Sequence, residues 1–257
     1  MKSAVAFFRT RFAAAGTAER ARYERAYMKS ELAFHGVDAA AVRDAGAEFV
    51  KAHKEALDHD GVVGVVEALY ATDWFDLRSA AIGVLERKRK LLAPKDAAWL
   101  VKLVRKSGCW AHVDWLATKI VPHALPEKPA RLLRQWARDD DFWVRRTALL
   151  AQLDALRAGG GDFPLFAELA VPMLGEREFF IRKAIGWVLR DTSKRRPELV
   201  AGFVRAHGAA MSGLTYREAT RRLPERLRVE LARPAVSASR SRSAPGRRSA
   251  PRSSAAA

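Results

Sequence analysis

The 257-residue sequence has little of three features that would define other classes of protein. It has one cysteine, Cys109, so no intrachain disulfide can form, which suits a reducing cytoplasm. No stretch approaches 18 uncharged apolar residues, and Arg9 and Arg11 interrupt the short N-terminal apolar run. We therefore expect neither a membrane span nor a signal peptide. Long period-2 alternation is also absent, which argues against a β-sheet protein.

Acidic residues are few relative to basic ones. Lys and Arg number 46 against 29 Asp and Glu, a net charge of +17 that predicts a polyanionic partner, either nucleic acid or, less often, an anionic membrane. Residues 234–257 hold five arginines, no acid and no aromatic, so they bury too little apolar surface to fold and are predicted to be a disordered basic Ser/Arg/Pro/Ala tail. Residues 1–233 are predicted to form the folded domain, which keeps about +12 of the charge.

Helical signals fill that domain. Ala, Leu, Arg and Glu dominate, and apolar residues recur at three- and four-residue spacing. The pattern predicts helices over about 4–14, 18–34, 39–54, 61–71, 75–90, 95–106, 110–121, 127–138, 142–157, 163–174, 178–192, 197–206 and 215–231.

Several of these helices resemble one another at their starts, where aromatics precede basic and then small apolar residues. The aligned aromatics Phe75, Trp110, Trp143 and Phe180 lie 35, 33 and 37 residues apart. A helix-pair period of that size is typical of a stacked α-solenoid, and the TPR consensus is not visible. The predicted fold is therefore all-α, a curved α-solenoid of HEAT-like helix pairs with a concave basic face.

Counting from these aromatics places four residues on one helical face. Trp110 stands at position 0, Arg146 at +3, Asp114 at +4 and Trp187 at +7, so stacking should bring them together. Each has a structural alternative: the tryptophans as core, Arg146 as a solvated residue, and Asp114 in an ion pair with a neighbouring repeat. A carboxylate on an apolar stripe is costly unless paired or functional, so Asp114 is the strongest candidate. His112 is interpreted as an exposed helix residue rather than a second polar group of the site.

Residues 20–225 resemble the AlkD-type DNA alkylation repair proteins, the HEAT-like-repeat alkylpurine DNA glycosylases. The resemblance is carried by ARYERAYMKSELAFHGV, SGCWAHVDWLA, FWVRRTALLAQL and EFFIRKAIGWVLRD followed by Pro197. It implies catalytic roles for Asp114, Trp110 and Trp187. It also implies DNA contacts by Arg146 and Tyr27, and we expect them from the nearby basic residues Lys29, Arg145 and Lys183. The sequence departs from the family at Cys109, where a second tryptophan is common.

The expected activity is hydrolysis of the N-glycosidic bond of N3- or N7-alkylated, cationic purines, bulky ones included, in duplex DNA. The resemblance implies that the flipped base is not enclosed. Asp114 would stabilise the sugar cation and orient water. No cofactor is expected, and the histidines lack metal-ligand spacing. We expect a cytoplasmic monomer, associated with the nucleoid when bound to DNA.

Two other interpretations stay open on the sequence alone. The chain could be a non-catalytic DNA-damage binder or an architectural HEAT-repeat DNA-binding protein, which would use the same basic face without the chemistry. It could also be a protein-binding HEAT scaffold whose charge serves only solubility. Release of N7-methylguanine from a defined duplex separates the first from an enzyme, and salt-dependent DNA affinity excludes the second.

Overall fold

The computed structural model describes residues 2–232, and this part of the chain is helical without a β-strand. The α-helices are α1 (Lys2–Ala15), α2 (Ala18–Met28), α3 (Ala39–Ala52), α4 (His59–Tyr70), α5 (Phe75–Lys88), α6 (Ala97–Ser107), α7 (Trp110–Trp115), α8 (Ala130–Trp136), α9 (Phe142–Leu150), α10 (Leu153–Arg157), α11 (Phe163–Ala170), α12 (Phe179–Thr192), α13 (Pro197–His207), α14 (Gly213–Thr220) and α15 (Glu225–Glu230). The all-α prediction is confirmed. None of the described helices is long and apolar enough to cross a membrane.

The main hydrophobic core is a continuous cluster that runs from Ala4 in α1 to Leu227 in α15. Helix α6 shows how the sequence builds it. Leu100, Leu103 and Val104 recur at the spacing of one helical face, and all three are buried against the neighbouring helices. Gly108 then ends α6 in the left-handed conformation, with a φ of 57°. The chain reverses there, so that α7 begins at Trp110.

Alternate helices pack against one another in a row. Helix α5 contacts α3 and α7, α9 contacts α7 and α12, and α12 contacts α14. A second set packs behind them, with α4 against α5, α6 against α7, α8 against α9 and α13 against α14. This order agrees with stacked helix pairs, while the curvature and the concave basic face stay predictions.

A repeated arginine contact closes the turn before several helices of the row. In each case the guanidinium donates to the backbone carbonyl of the residue six positions earlier, which would otherwise lack a partner in the turn. The pairs are Arg78 to Thr72 at 3.0 Å, Arg145 to Asp139 at 2.7 Å, and Arg182 to Glu176 at 2.6 Å.

Several predicted helices end early or divide in the structure. The helix predicted over 110–121, for example, is α-helical only to Trp115. The helix predicted to reach residue 34 ends at Met28, because Lys29 takes a left-handed conformation and the chain then runs extended beside Trp74. The helix predicted over 142–157 divides into α9 and α10 at a turn. The helix predicted over 215–231 breaks at Pro224, which cannot continue the backbone hydrogen bonds. The predicted tail, 234–257, lies outside the described residues.

Alanine substitution is expected to have opposite effects at two helical glycines. Gly186 lies at the contact between α12 and α14, whereas Gly202 lies in α13. A Cβ on Gly186 would lie 2.6 Å from the Glu218 Cβ, whereas a Cβ on Gly202 would meet nothing within 4 Å. We expect Gly186→Ala to lower the free energy of unfolding by about 1–3 kcal/mol through overpacking. Gly202→Ala, the matched control, should raise it by about 0.5–1 kcal/mol because alanine favours the helix. Urea unfolding of both variants measures this, and equal effects would contradict the close packing.

Candidate functional site

A pocket of about 730 Å³ opens where the starts of α7, α9 and α12 meet the end of α2. It is lined by Tyr27, Met28, Lys29, Gly108, Cys109, Trp110, Asp114, Trp143, Arg146, Phe179, Phe180, Lys183 and Trp187. The four residues that the repeat alignment placed on one face, Trp110, Asp114, Arg146 and Trp187, therefore line the same pocket, as predicted.

Asp114 and Arg146 form a bidentate ion pair, joined by two hydrogen bonds, at this pocket. Arg146 Nε donates to Asp114 Oδ1 at 2.7 Å, and Nη2 donates to Oδ2 at 2.8 Å. The third guanidinium nitrogen, Nη1, donates to the backbone carbonyl of Phe180. The arginine side chain is only 3% exposed and the aspartate side chain 15%. The carboxylate is thus fixed in place, and it is the more accessible half of the pair.

The geometry leaves Asp114 able to take a further partner. A carboxylate has about four lone-pair sites. Arg146 uses one on each oxygen, so each oxygen keeps accepting capacity. Because the side chain lines the pocket, a water molecule or a cation there could meet this capacity.

Arg146 is placed differently from its predicted role. All three of its nitrogens donate inside the protein, and its side chain is almost fully buried. This argues against the phosphate contact expected from the sequence and favours a role in holding Asp114. The solvated-helix alternative for this residue is wrong.

Six aromatic side chains form a large part of the pocket wall. Trp143 and Phe180 pack with their ring centroids 4.8 Å apart, and Phe179 packs edge-on to Phe180 at 5.3 Å. Trp110 and Trp187 complete the wall and are partly buried. The pure core alternative for these two tryptophans does not fit residues that line an open pocket.

Helix α2 brings two predicted DNA contacts to the rim. Tyr27 is 58% exposed and meets Trp110 edge-on, with 5.9 Å between the ring centroids. Lys29 is exposed and carries the one left-handed backbone among the described non-glycine residues, with a φ of 50°. Such a conformation costs energy and is common at functional sites. Both side chains are accessible to a macromolecule that covers the pocket.

Arg145 and Lys183 are less free than the sequence suggested. Arg145 donates to both carboxylate oxygens of Glu176 and to two carbonyls in the preceding turn, and it does not line the pocket. Lys183 lines the pocket, but its ammonium group lies 2.6 Å from Glu218. The contacts of Arg145 argue against its predicted DNA contact, and those of Lys183 make it a weaker candidate than Lys29.

Cys109 stands at a position where the family often has tryptophan, and its neighbours show how this position is filled. Its side chain is buried with Phe34 and Phe75 in a small cluster, and its thiol lies 3.9 Å from the Met28 carbonyl. Burial raises the pKa of the Cys109 thiol, which keeps it protonated. Cys109 therefore joins α7 to the end of α2, and its protonated thiol argues against a role as a nucleophile.

The prediction that His112 is exposed is wrong. The side chain is 1% exposed, its ring stacks on Phe75 at 4.2 Å, and its Nε2 lies 2.8 Å from the Ser79 hydroxyl. It belongs to the packing between α5 and α7 and does not line the pocket. The sequence pattern of a helix does not reveal whether a single histidine close to apolar residues is buried.

Sequence reasoning missed Trp143, Phe179 and Phe180 as site residues. Trp143 and Phe180 served only as marks of the repeat, yet both line the pocket, each as the second residue of its helix. The signal was the repeat itself, since residues at equivalent positions of stacked helices become neighbours. No group of three or more potential ligands is placed to hold a metal ion among residues 2–232.

Comparison with known proteins gives a family and a fold. The model of a family described as DNA alkylation repair enzyme matches residues 8–223. A solved structure of a predicted DNA alkylation repair enzyme from Enterococcus faecalis is similar in fold, with a TM-score of 0.72 and 24% identity. The similarity covers 82% of this chain and 97% of that one. No curated protein matches the sequence.

The buried imidazole of His112 makes the stability depend on pH. Burial lowers the pKa of His112 to about 3, from an ordinary value of 6.5. The unfolded chain therefore binds a proton below pH 6.5 that the folded chain refuses, so stability is full above that pH and falls toward pH 3. Replacing the imidazole by His112→Gln should reduce the slope of unfolding free energy against pH by up to about 1.4 kcal/mol per unit.

Urea unfolding of both proteins at several values between about pH 4 and 6 measures the two slopes. The Ser79 hydroxyl can still bond to the glutamine amide, which limits the damage to packing. Identical slopes would contradict a neutral buried imidazole.

Proposed function

The chain belongs to the family of DNA alkylation repair enzymes, and from this premise we propose that it is a DNA glycosylase for cationic alkylated purines. The reaction is hydrolysis of the N-glycosidic bond of N3- or N7-alkylated purines in duplex DNA, the first step of base-excision repair. The observation that carries the proposal is a carboxylate held rigidly by an arginine at the wall of an aromatic pocket.

The chemistry needs stabilisation of a cation more than it needs a strong acid. A purine alkylated at N3 or N7 already carries positive charge. When the bond from C1′ to the base breaks, the electron pair neutralises the departing base, and the sugar becomes cationic, as in glycoside hydrolysis. A fixed anion beside that sugar stabilises the transition state without having to reorganise. Asp114 is the anion that the pocket offers.

Water completes the reaction. Its oxygen bonds to C1′ while its proton passes to an acceptor, and the free lone pairs of Asp114 can hold and orient that water. Arg146 keeps the carboxylate in one orientation by its paired hydrogen bonds. The products are the neutral alkylated base and an abasic site.

The aromatic wall suits a cationic sugar and a charged lesion. The faces of tryptophan attract cations, most strongly where water is displaced. Trp110 and Trp187 would flank the sugar and its phosphodiester. A pocket that is open to solvent need not enclose the base, which supports tolerance of bulky adducts.

Double-stranded DNA is the partner that the charge and the rim favour. The net charge of residues 1–233, about +12, provides sequence-independent attraction to phosphates. Lys29 and Tyr27 stand exposed at the pocket rim, where they would contact the backbone and sugar next to the lesion. We propose that the protein acts as a monomer on DNA in the cytoplasm.

A non-catalytic DNA-damage binder is the second candidate, because the same basic, aromatic surface would hold DNA without breaking a bond. A binder, however, has no use for a carboxylate that repels phosphate in the wall of its pocket. The Asp114–Arg146 pair therefore favours the enzyme, and the loss of one carboxylate decides between them.

We expect Asp114→Asn to lower single-turnover release of N7-methylguanine from a defined duplex by on the order of 100-fold, the effect of one lost transition-state contact. Duplex affinity should stay the same or rise slightly. Asp73→Asn removes the same charge from a side chain that is 94% exposed, and it should keep the wild-type rate. A wild-type rate of release in Asp114→Asn would contradict the assignment of Asp114 as the stabilising anion. No release by any form of the protein would favour the binder.

A second experiment separates the two roles of Arg146. We expect Arg146→Gln to slow excision about 10-fold or more, because the carboxylate loses a charged partner, while the salt dependence of DNA binding stays unchanged. Lys29→Gln removes the same charge from the exposed rim and should reduce the log–log salt slope by about 1. Circular dichroism checks that each variant is folded. A smaller slope for Arg146→Gln would show that it holds a phosphate after all.

A further inference from the structure

We propose that Asp191 is a positioning residue that holds the Trp187 indole with its N–H turned away from the pocket, so that only the ring meets the DNA ligand. For its activity readout this inference rests on the proposed function. The contact of the two side chains is a property of the fold and is tested separately.

The geometry links the two residues directly. Trp187 Nε1 donates to Asp191 Oδ2 at 3.2 Å. The residues stand one turn apart on α12, so the bond runs along the helix surface. Trp187 lines the pocket and Asp191 does not. The polar edge of the indole is therefore directed to a partner outside the pocket lining.

Asp191 is itself held from two sides. Arg157, at the end of α10, donates from Nε and Nη2 to the same Oδ2 at 2.9 and 2.7 Å. Lys194 Nζ lies 3.0 Å from Oδ1. Burial alone would raise the pKa of Asp191, but the hydrogen bonds from Lys194 and Arg157 outweigh it and lower that pKa. The carboxylate, 6% exposed, is thus a fixed anion.

This bond matters for a cationic ligand. An indole N–H carries partial positive charge, and a free N–H in the pocket would need an acceptor and would repel a cation. Bonding it to a charged carboxylate satisfies the donor strongly. What remains for the pocket is the electron-rich ring face, which attracts a cation. The carboxylate also fixes the side-chain torsions that set the direction of that face.

Nuclear magnetic resonance of the indole N–H groups tests the contact without any substrate. The Trp187 signal is the one that disappears in Trp187→Phe. We expect Asp191→Asn to move this signal upfield, because a neutral acceptor replaces a charged one. Arg157→Gln removes two donors from the oxygen that accepts the indole N–H, so it should also move this signal, and it keeps the test valid if Asp191→Asn does not fold.

Asp154 provides the matched control. It also accepts from Arg157, at 3.1 Å, but it does not bond to the indole. Asp154→Asn should leave the Trp187 signal and the excision rate as in the wild type. A Trp187 signal that stays in place in both Asp191→Asn and Arg157→Gln would overturn the inference.

Excision tests the consequence. We expect Asp191→Asn to lower the single-turnover rate on the order of 10-fold, the value of one charged hydrogen bond, with less effect on duplex affinity. In a Trp187→Phe background, Asp191→Asn should not lower the rate further, because the indole N–H is already absent. A rate loss caused by general destabilisation would still appear in that background. A moved signal with an unchanged rate would overturn the positioning role. If the wild type releases no base, the proposed function fails, and the indole signal alone then upholds or overturns the placement of the ring.

Discussion

Asp114 and Arg146 meet through two parallel hydrogen bonds, with the arginine almost fully buried and the carboxylate reached only from the pocket. A buried charge without its partner costs about 3–5 kcal/mol, so each residue depends on the other being correctly placed. The pair also spans the stack, because Asp114 is on α7, Arg146 on α9, and the Phe180 carbonyl that completes the arrangement on α12. The pocket can form only when three successive helices of the row are in register.

The same place in the repeat carries polar contacts elsewhere in the row. Two residues after a fully buried apolar side chain in α5, α9 and α12, a polar side chain reaches a neighbouring helix of the row. These contacts are Ser79 with His112, Arg146 with Asp114, and Lys183 with Glu218. The contact of Ser79 with His112 is neutral and buried. The contact of Arg146 with Asp114 joins two full charges and leaves the carboxylate accessible. The candidate site is therefore a structural contact between repeats in which one partner stays exposed to a ligand.

The helical class, the repeat spacing and the grouping of four site residues could be predicted because all three follow from periodicity. Periodicity does not carry the pairing of side chains across helices. It offered an ion pair of Asp114 with a neighbouring repeat as an alternative, which the structure shows, but it did not identify Arg146 as the partner. It also cannot show that His112 faces inward, because one polar residue leaves a helical pattern intact. The end of α2 was missed because lysine, at residue 29, seldom takes a left-handed conformation. Local sequence rules fail where tertiary contacts decide the conformation.

The arginine contacts that close the turns have a consequence for how such a chain can change its length. Each contact joins residues six positions apart, so the turns before α5, α9 and α12 have the same length. The aligned aromatics nevertheless lie 33 to 37 residues apart. The variable residues must then fall in the second set of helices and their loops. Insertions or deletions of a few residues there can be absorbed without moving the side chains that line the pocket.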